Sequence, residues 1–453
     1  MPHVMSSGES KRGRTKSLAH LPAAVLAGIL GISLSLAAAQ QSPAPAAAPQ
    51  VSPPRAATGQ NTSDNSNQPE EVWWQNAMAA GDKAFSREDY KGAVEQYESA
   101  LEEASKSPQN DQQVVGTLSK LAQAYQMLGR YSDAADAYTR ALQIWKHVLG
   151  PDSLIVAKGY EKLAGVYHLQ GKDDRAEGAY KNSMAILERT QGTTSTALGP
   201  DLKGLAEIYR SEGRYLEAES VCRRSLAIWE DALGPEHPVV AQHLNNLASV
   251  YLAEDKIHLA EPLLRRALVI AEKTMGRSDP FQTPILNNLG DVYYAEKKYA
   301  QAEPLLRRSL DLTQRIAGAD SLQMANVMNS LALVYDAQKK GAAAEPLYRR
   351  ALKIWVAKEG PESPSVAAVL NNLAGLLAAE GRYKEAGPLY NRSLDVVQKA
   401  YGPTDLHVAQ ALESYAAFLR KTHRSEEAQR MEDAAQQIRK VNEEKKNHSS
   451  AVR

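Results

Sequence analysis

The feature that most constrains this chain is its agreement with itself. Glycine recurs at Gly150, Gly192, Gly234, Gly276, Gly318, Gly360 and Gly402, every 42 residues, and Leu121, Leu163, Leu205, Leu247, Leu289, Leu331 and Leu373 keep the same interval. Ala134, Ala176, Ala218, Ala260, Ala302, Ala344, Ala386 and Ala428 form a third register. Three registers in step mean one structural unit copied along the chain, so 453 residues need not divide into several unrelated domains.

Within one copy the apolar spacing is helical. In LNNLASVY, Leu244, Leu247, Ala248 and Tyr251 follow i, i+3, i+4, i+7, and in RYLEAESVCRRSLAIW the residues Tyr215, Ala218, Cys222, Ser225 and Leu226 form a second stripe. Short polar turns (GR, GK, EG, EK) join such segments, so each copy is a pair of antiparallel helices. Ala248 and Ala260 stand where two helix axes approach closely. One pair cannot bury both faces of its helices, so the copies must stack into a solenoid. The recurring glycine is expected to end the second helix in a left-handed conformation, with Pro151, Pro235, Pro361 and Pro403 directly behind it to stop the helix. Pro262, Pro304, Pro346 and Pro388 fall early in second helices and imply a tolerated bend. Cys222, the single cysteine, lies on the buried stripe and reads as a structural thiol; it permits neither an intrachain disulfide nor a cysteine zinc site.

The first residues differ in kind. Lys11, Arg12, Arg14 and Lys16 precede the uncharged run SLAHLPAAVLAGILGISLSLAAAQ, which ends in the small residues Ala37, Ala38 and Ala39. That layout predicts a secretory signal peptide over 1–39, or an uncleaved membrane anchor, and hence an exported protein, periplasmic or extracellular. No cysteine stands at the junction and no adjacent arginine pair precedes the run, which argues against lipoprotein processing and twin-arginine export. Residues 40–70 are rich in Pro, Ala, Ser, Asn and Gln, too poor in large apolar groups to offset ordering entropy, and predict a disordered linker. The chain carries 53 basic and 53 acidic side chains; loss of the leader leaves it slightly acidic, which gives no reason to expect nucleic acid or an anionic membrane as a partner.

The pattern of Leu, small residue and Tyr in the first helix, then Ala, Tyr and Ala-Leu in the second, resembles the tetratricopeptide repeat. The 42-residue period and the wording GPEHPVVAQHLNNLASVY and YKEAGPLYNRSL resemble more narrowly the kinesin light chain subclass. The resemblance implies an all-α, right-handed α-solenoid of antiparallel helix pairs, a superhelix of about nine pairs over 71–440, followed by a charged tail over 441–453. It also implies a protein or peptide partner in the concave groove formed by the first helices. The heptad segment through which kinesin light chains pair with a motor chain is missing here, so a motor-cargo role is not implied.

Each candidate site can be compared with its own copies. His237 and His243 have no histidine at the matching places of other units, and on a helix they would point to different faces, so they do not read as a metal pair. The loop around His237 instead suits a turn that caps the next helix. Arg223-Arg224, Arg265-Arg266, Arg307-Arg308 and Arg349-Arg350 could grip phosphate or acidic peptides, yet Glu219, Glu261, Glu303 and Glu345 stand four residues before each pair, the spacing of exposed helical salt bridges. Of the paired asparagines, the resemblance assigns the second members, Asn246, Asn288 and Asn372, to tying one unit to the next. The first members, Asn245, Asn287, Asn329 and Asn371, would face the groove as a ladder of amides that donate to and accept from a peptide backbone. Leu252, Tyr294 and Asp336 lie seven residues after ladder positions, Ser249, Asp291, Leu333 and Gly375 four after, and the matching surface of earlier units carries Lys203 and Arg210 among other charges. The expectation is a groove with a charged end and an amide and apolar middle.

No phosphate loop, nucleophile elbow or metal-spaced His/Glu motif occurs, so the sequence gives no reason to expect an enzyme or a cofactor. It predicts a non-catalytic interaction module, or alternatively a self-associating scaffold of the cell envelope.

Overall fold

The computed structural model describes residues 68–106 and 110–451. The expected leader over 1–39, and the expected linker up to residue 67, lie outside the described residues. Among the described residues there are eighteen α-helices and no strand. None of those helices is long and apolar enough to cross a membrane.

The chain divides into two compact units, one ending at Ile285 and the other beginning at Leu286. The first holds α1 (Gln68–Ser86), α2 (Tyr90–Ala104), α3 (Asp111–Met127), α4 (Tyr131–Leu149), α5 (Leu154–Leu169), α6 (Asp173–Gln191), α7 (Gly199–Ser211), α8 (Tyr215–Leu233), α9 (Pro238–Ala253) and α10 (Ile257–Met275). The division falls within α11 (Thr283–Ala295); the second unit continues with α12 (Tyr299–Ala317), α13 (Leu322–Ala337), α14 (Gly341–Glu359), α15 (Pro364–Ala379), α16 (Tyr383–Tyr401), α17 (Leu406–Lys421) and α18 (Ser425–Ala451). Odd-numbered helices are the first members of their pairs. In each unit the helices pack in chain order, each against the one before and the one after. The last helix does not stop at residue 440 but runs through the charged segment to Ala451.

Small residues set how closely the pairs approach. Ala122, Ala164, Ala248, Ala332 and Ala374 of the first helices and Ala134, Ala176, Ala218, Ala260, Ala302, Ala344, Ala386 and Ala428 of the second are wholly buried. In α11 the corresponding residue is Gly290, where a Cβ would stand 2.6 Å from Leu306 Cγ, so even alanine is too large beside that leucine. Pro262, Pro304, Pro346 and Pro388 are accommodated inside uninterrupted 19-residue helices.

The ends of the helices explain the glycines, with one correction. Ser153, His237, Ser321, Ser363 and Asp405 each cap a first helix by accepting a hydrogen bond from its first turn. Ser195 and Asp279, in the same register, do so for the short 3-10 turns that lead into α7 and α11. The recurring glycine that closes each second helix has the expected positive φ, but not the left-handed helical conformation: Gly234 lies at φ 85° and ψ 156°, an extended mirror-image region open to little besides glycine. The left-handed turn sits half a repeat away, between the two helices of a pair, at Gly129, Gly171, Gly213 and Gly381 but also at Glu88, Asp255, Lys297, Lys339 and His423, with φ from 61° to 63° at those five. There the residue three beyond the helix returns a hydrogen bond to its last turn, as Lys256 N does to Tyr251 O at 2.8 Å.

Candidate functional site

The histidines have structural work. His237 Nδ1 accepts from Val239 N at 3.2 Å as the cap of α9. His243 stacks on Trp229 with ring centroids 5.6 Å apart, and its Nδ1 lies 3.1 Å from Ser225 Oγ. Burial, with some help from Lys203, pushes the His243 pKa down to about 4, so the ring is neutral. Burial likewise pushes the Cys222 thiol up to about 12, far from the thiolate a redox or nucleophilic role would need.

The arginine pairs are structural as well. Arg223, Arg265, Arg307 and Arg349 meet Glu219, Glu261, Glu303 and Glu345 at 2.7, 3.6, 3.3 and 2.6 Å along exposed helix faces. The second arginines reach back to the preceding repeat: Arg224 to Thr193 O at 2.8 Å, Arg266 to Pro235 O at 3.0 Å and Arg350 to Ala319 O at 3.0 Å. In every case the carbonyl belongs to the residue just after the recurring glycine, so these guanidiniums clip one loop to the next second helix. The glutamates are hubs as well. Glu177 accepts from Tyr209 at 2.9 Å and pairs with Arg214 at 2.7 Å, both in the following repeat, and Glu345 receives Arg382 in the same register. Arg214 and the other hydrogen bonds to Glu177 outweigh its partial burial and hold its pKa at about 2. The Glu-to-Arg spacing picks out Glu219, Glu261, Glu303 and Glu345 and the bonds within a helix; Glu177 and the bonds to the next repeat depend on the stacking.

The amide ladder divides. Asn245, Asn287 and Asn329 are buried, and only Asn371 is half-buried. The separate roles expected for the two asparagines fail at Asn329, which accepts from Asn372 Nδ2 at 3.0 Å across 43 residues, so a first-position amide of one repeat ties a second-position amide of the next. The cause is the closeness of adjacent first helices, which brings the two registers within hydrogen-bond reach. Asn287 Nδ2 donates to Asp291 at 3.4 Å. Of the other expected face residues, Leu252 is buried, and Tyr294, Asp336, Lys203 and Arg210 are half-buried. Lys203 pairs with Glu207 at 3.8 Å.

Several of these groups keep unmet capacity. The Oδ1 atoms of Asn287, Asn371 and Asn372 and the hydroxyl of Tyr348 are buried without a hydrogen-bond partner among the described residues. Burial pushes Asp291 up to about 7 against the pull of Ser330, and raises Asp336, with Lys339 opposing and Glu380 adding. In the first unit burial lowers the Arg210 pKa, with Glu207 opposing. Tyr348 shares the register of Tyr138, Tyr180 and Tyr390 in the sequence, which signals packing and gives no sign of the unsatisfied hydroxyl.

The geometry agrees with comparisons to known proteins. No curated protein matches the chain. Among solved structures, the apo form of RapI is similar with a TM-score of 0.57 at 13% identity, over 82% of this chain and 98% of that one. A Rap protein complexed with competence and sporulation factor gives 0.52 at 15%, over 83% and 99%. BtubC from P. vanneervenii gives 0.41 at 22%, over 53% and 92%. At these identities the first two likenesses show the fold. The tetratricopeptide repeat profile matches residues 113–189, 194–273, 282–355 and 365–440, most of the length over which the helix pairs stack. Paired amphipathic helices, small residues where the pairs approach closely and this match over more than half of the sequence lead to one conclusion: the chain belongs to the tetratricopeptide repeat family.

Proposed function

We propose that this protein is an exported, non-catalytic interaction module that holds a protein or peptide partner against the faces of its first helices. The tetratricopeptide repeat solenoid is a protein-interaction fold, and that much is general to the family. The observation that carries the finer reading is the asymmetry between the two helix sets. The charged groups of the second helices are largely spent on each other and on the next repeat, whereas Asn287 and the half-buried Asn371 keep oxygens without partners. Buried acceptors left unmade cost about 1–3 kcal/mol each, a cost that an arriving donor removes. A complex of one Rap protein with competence and sporulation factor lends support by likeness of fold alone. Export rests on the leader pattern over 1–39, and the linker over 40–70 would tether the solenoid if the leader stays in a membrane.

The test is capture of partners from the protein's own compartment by the chain without its leader, compared with a variant carrying Asn371→Ala and Tyr294→Ala. Loss of capture with unchanged helicity supports the reading; undiminished capture overturns it. A second reading, self-association through the end repeats, is favoured by Val72 and Trp73, which are 55% and 43% exposed on α1. Light scattering separates the two, since a stable oligomer without added ligand is expected only of the scaffold.

A further inference from the structure

In the first unit one buried side chain stands out against its own copies. Steps of 42 residues from Asp201 meet Gly159, His243, Ile285, Val327 and Val369, so this place on a first helix takes a neutral group in the neighbouring repeats. Ile285, Val327 and Val369 are at most 3% exposed, and Asp201 is 1% exposed. Where α8 meets α9, the ring of His243 lies 3.1 Å from the Ser225 hydroxyl. Where α6 meets α7, the same two places hold Asp201 and Ser183. Here both carboxylate oxygens and the serine hydroxyl are buried without a hydrogen-bond partner among the described residues.

Packing holds the carboxylate where it is. A Cβ on Gly204 would stand 2.2 Å from Tyr180 Cζ of α6, and one on Gly199 would stand 3.3 Å from Trp229 of α8, so α7 is pressed on both sides of Asp201. Cations of the surrounding helices are engaged elsewhere: Lys162 of α5 with Glu161 at 3.4 Å, Lys181 of α6 with Glu177 at 2.6 Å, Lys203 of α7 with Glu207 at 3.8 Å and Arg214 of α8 with Glu217 at 2.6 Å. Burial pushes the Asp201 pKa up to about 7; Ser183 of α6 opposes this without reaching hydrogen-bond geometry, and the charge of Glu161 on α5 adds to it. Tyr180 of α6 is itself kept neutral by burial.

We propose that Asp201 is a proton latch on the seam between α6 and α7. With its proton the two helices close; without it the closed seam holds a bare buried charge, and α7 parts from α6 more often, carrying Lys203 and Arg210 with it. The sign follows from the two end states. In an opened seam the carboxyl meets water and releases its proton near 3.8, whereas in the closed seam it keeps the proton to about 7. Closure is therefore fully favoured below the first value and weakens as pH rises to the second, by up to about tenfold in the closing equilibrium per pH unit. The latch needs no partner on the first helices, so it stands apart from the function proposed above.

Amide hydrogen exchange of the full chain at pH 5, 6 and 7, read by mass spectrometry as protection relative to an unstructured peptide so that the intrinsic pH dependence cancels, tests it. In the unaltered chain the amides of α7 should lose protection with each pH unit, by up to about tenfold. In Asp201→Asn, and in Asp201→Val, which places here the residue type of Val327 and Val369, the profile of α7 should be flat. If one variant falls short of the helicity of the unaltered chain, the other decides. The amides of α3, in the same unit, should follow one profile in all three proteins. Protection of α7 that does not fall with pH in the unaltered chain, a fall that persists in a folded variant, or an equal difference between the proteins in α3 overturns the inference.

Discussion

Asn372 donates its side-chain N–H to the side-chain oxygen of Asn329 at 3.0 Å, and so joins consecutive first helices through a pair of buried amides. Both residues are at most 5% exposed, and neither amide can turn to water if the other is removed. Asn329→Ala or Asn372→Ala should each cost about 1–3 kcal/mol, and the double change much less than the sum. Urea unfolding of the four variants in a double-mutant cycle measures the coupling, and strict additivity would remove the bond from the account.

His237 caps α9 through its ring nitrogen. His237→Ala should lower stability by about 0.5–2 kcal/mol, and His237→Asn or His237→Ser should restore it, because each offers an acceptor to the same N–H. Thermal melts with and without added zinc check both halves of the argument; a zinc-dependent rise in Tm that disappears with His237 contradicts the capping role.

The turns between paired helices hold lysine at φ 61° and 63°, at Lys297 and Lys339, where the matching residues of other repeats are Gly129, Gly171 and Gly213. A left-handed conformation costs a residue with a Cβ about 1–2 kcal/mol. Lys297→Gly and Lys339→Gly should therefore raise Tm, while Gly213→Ala should lower it. Melts of the three variants decide, and a fall in Tm for both glycine variants would show that these turns are unstrained.

These turns also show where sequence reading reached its limit. The stacked helix pairs, the alanine seams, the capping loop around His237 and the Glu-to-Arg pairs were legible because each is set by residue type at fixed spacing. The glycine register points to the wrong place for the left-handed turn because the right position alternates between glycine and Asp255, Lys297 or Lys339, which hides its register. The Asn329–Asn372 bond and the reach of Arg224, Arg266 and Arg350 to a neighbouring loop were not legible, because each depends on the offset between successive repeats.

Asp201 gives the chain a pH dependence of unusual sign. It is 1% exposed, its carboxylate oxygens find no partner, and burial pushes its pKa up to about 7, with Ser183 opposing. In the unfolded chain the same group releases its proton near its ordinary value of 3.8. Between those two values the folded state holds the extra proton, so stability falls as pH rises through this window, by up to ~1.4 kcal/mol per pH unit, and levels off above it. Asp291 acts in the same direction. Denaturation midpoints from pH 4 to 8 should decline less steeply in Asp201→Asn than in the unaltered protein; parallel profiles would place the titration elsewhere.

The claim that first helices receive the partner is tested most directly by photo-crosslinking from single positions. A benzophenone side chain would be placed at Tyr294, Asp336 or Asn371 on the first helices and, as a comparison, at Arg265 or Arg349 on the second. The account predicts that captured partner is joined to the chain from the first three positions and not from the last two. Crosslinks confined to Arg265 and Arg349 would contradict it.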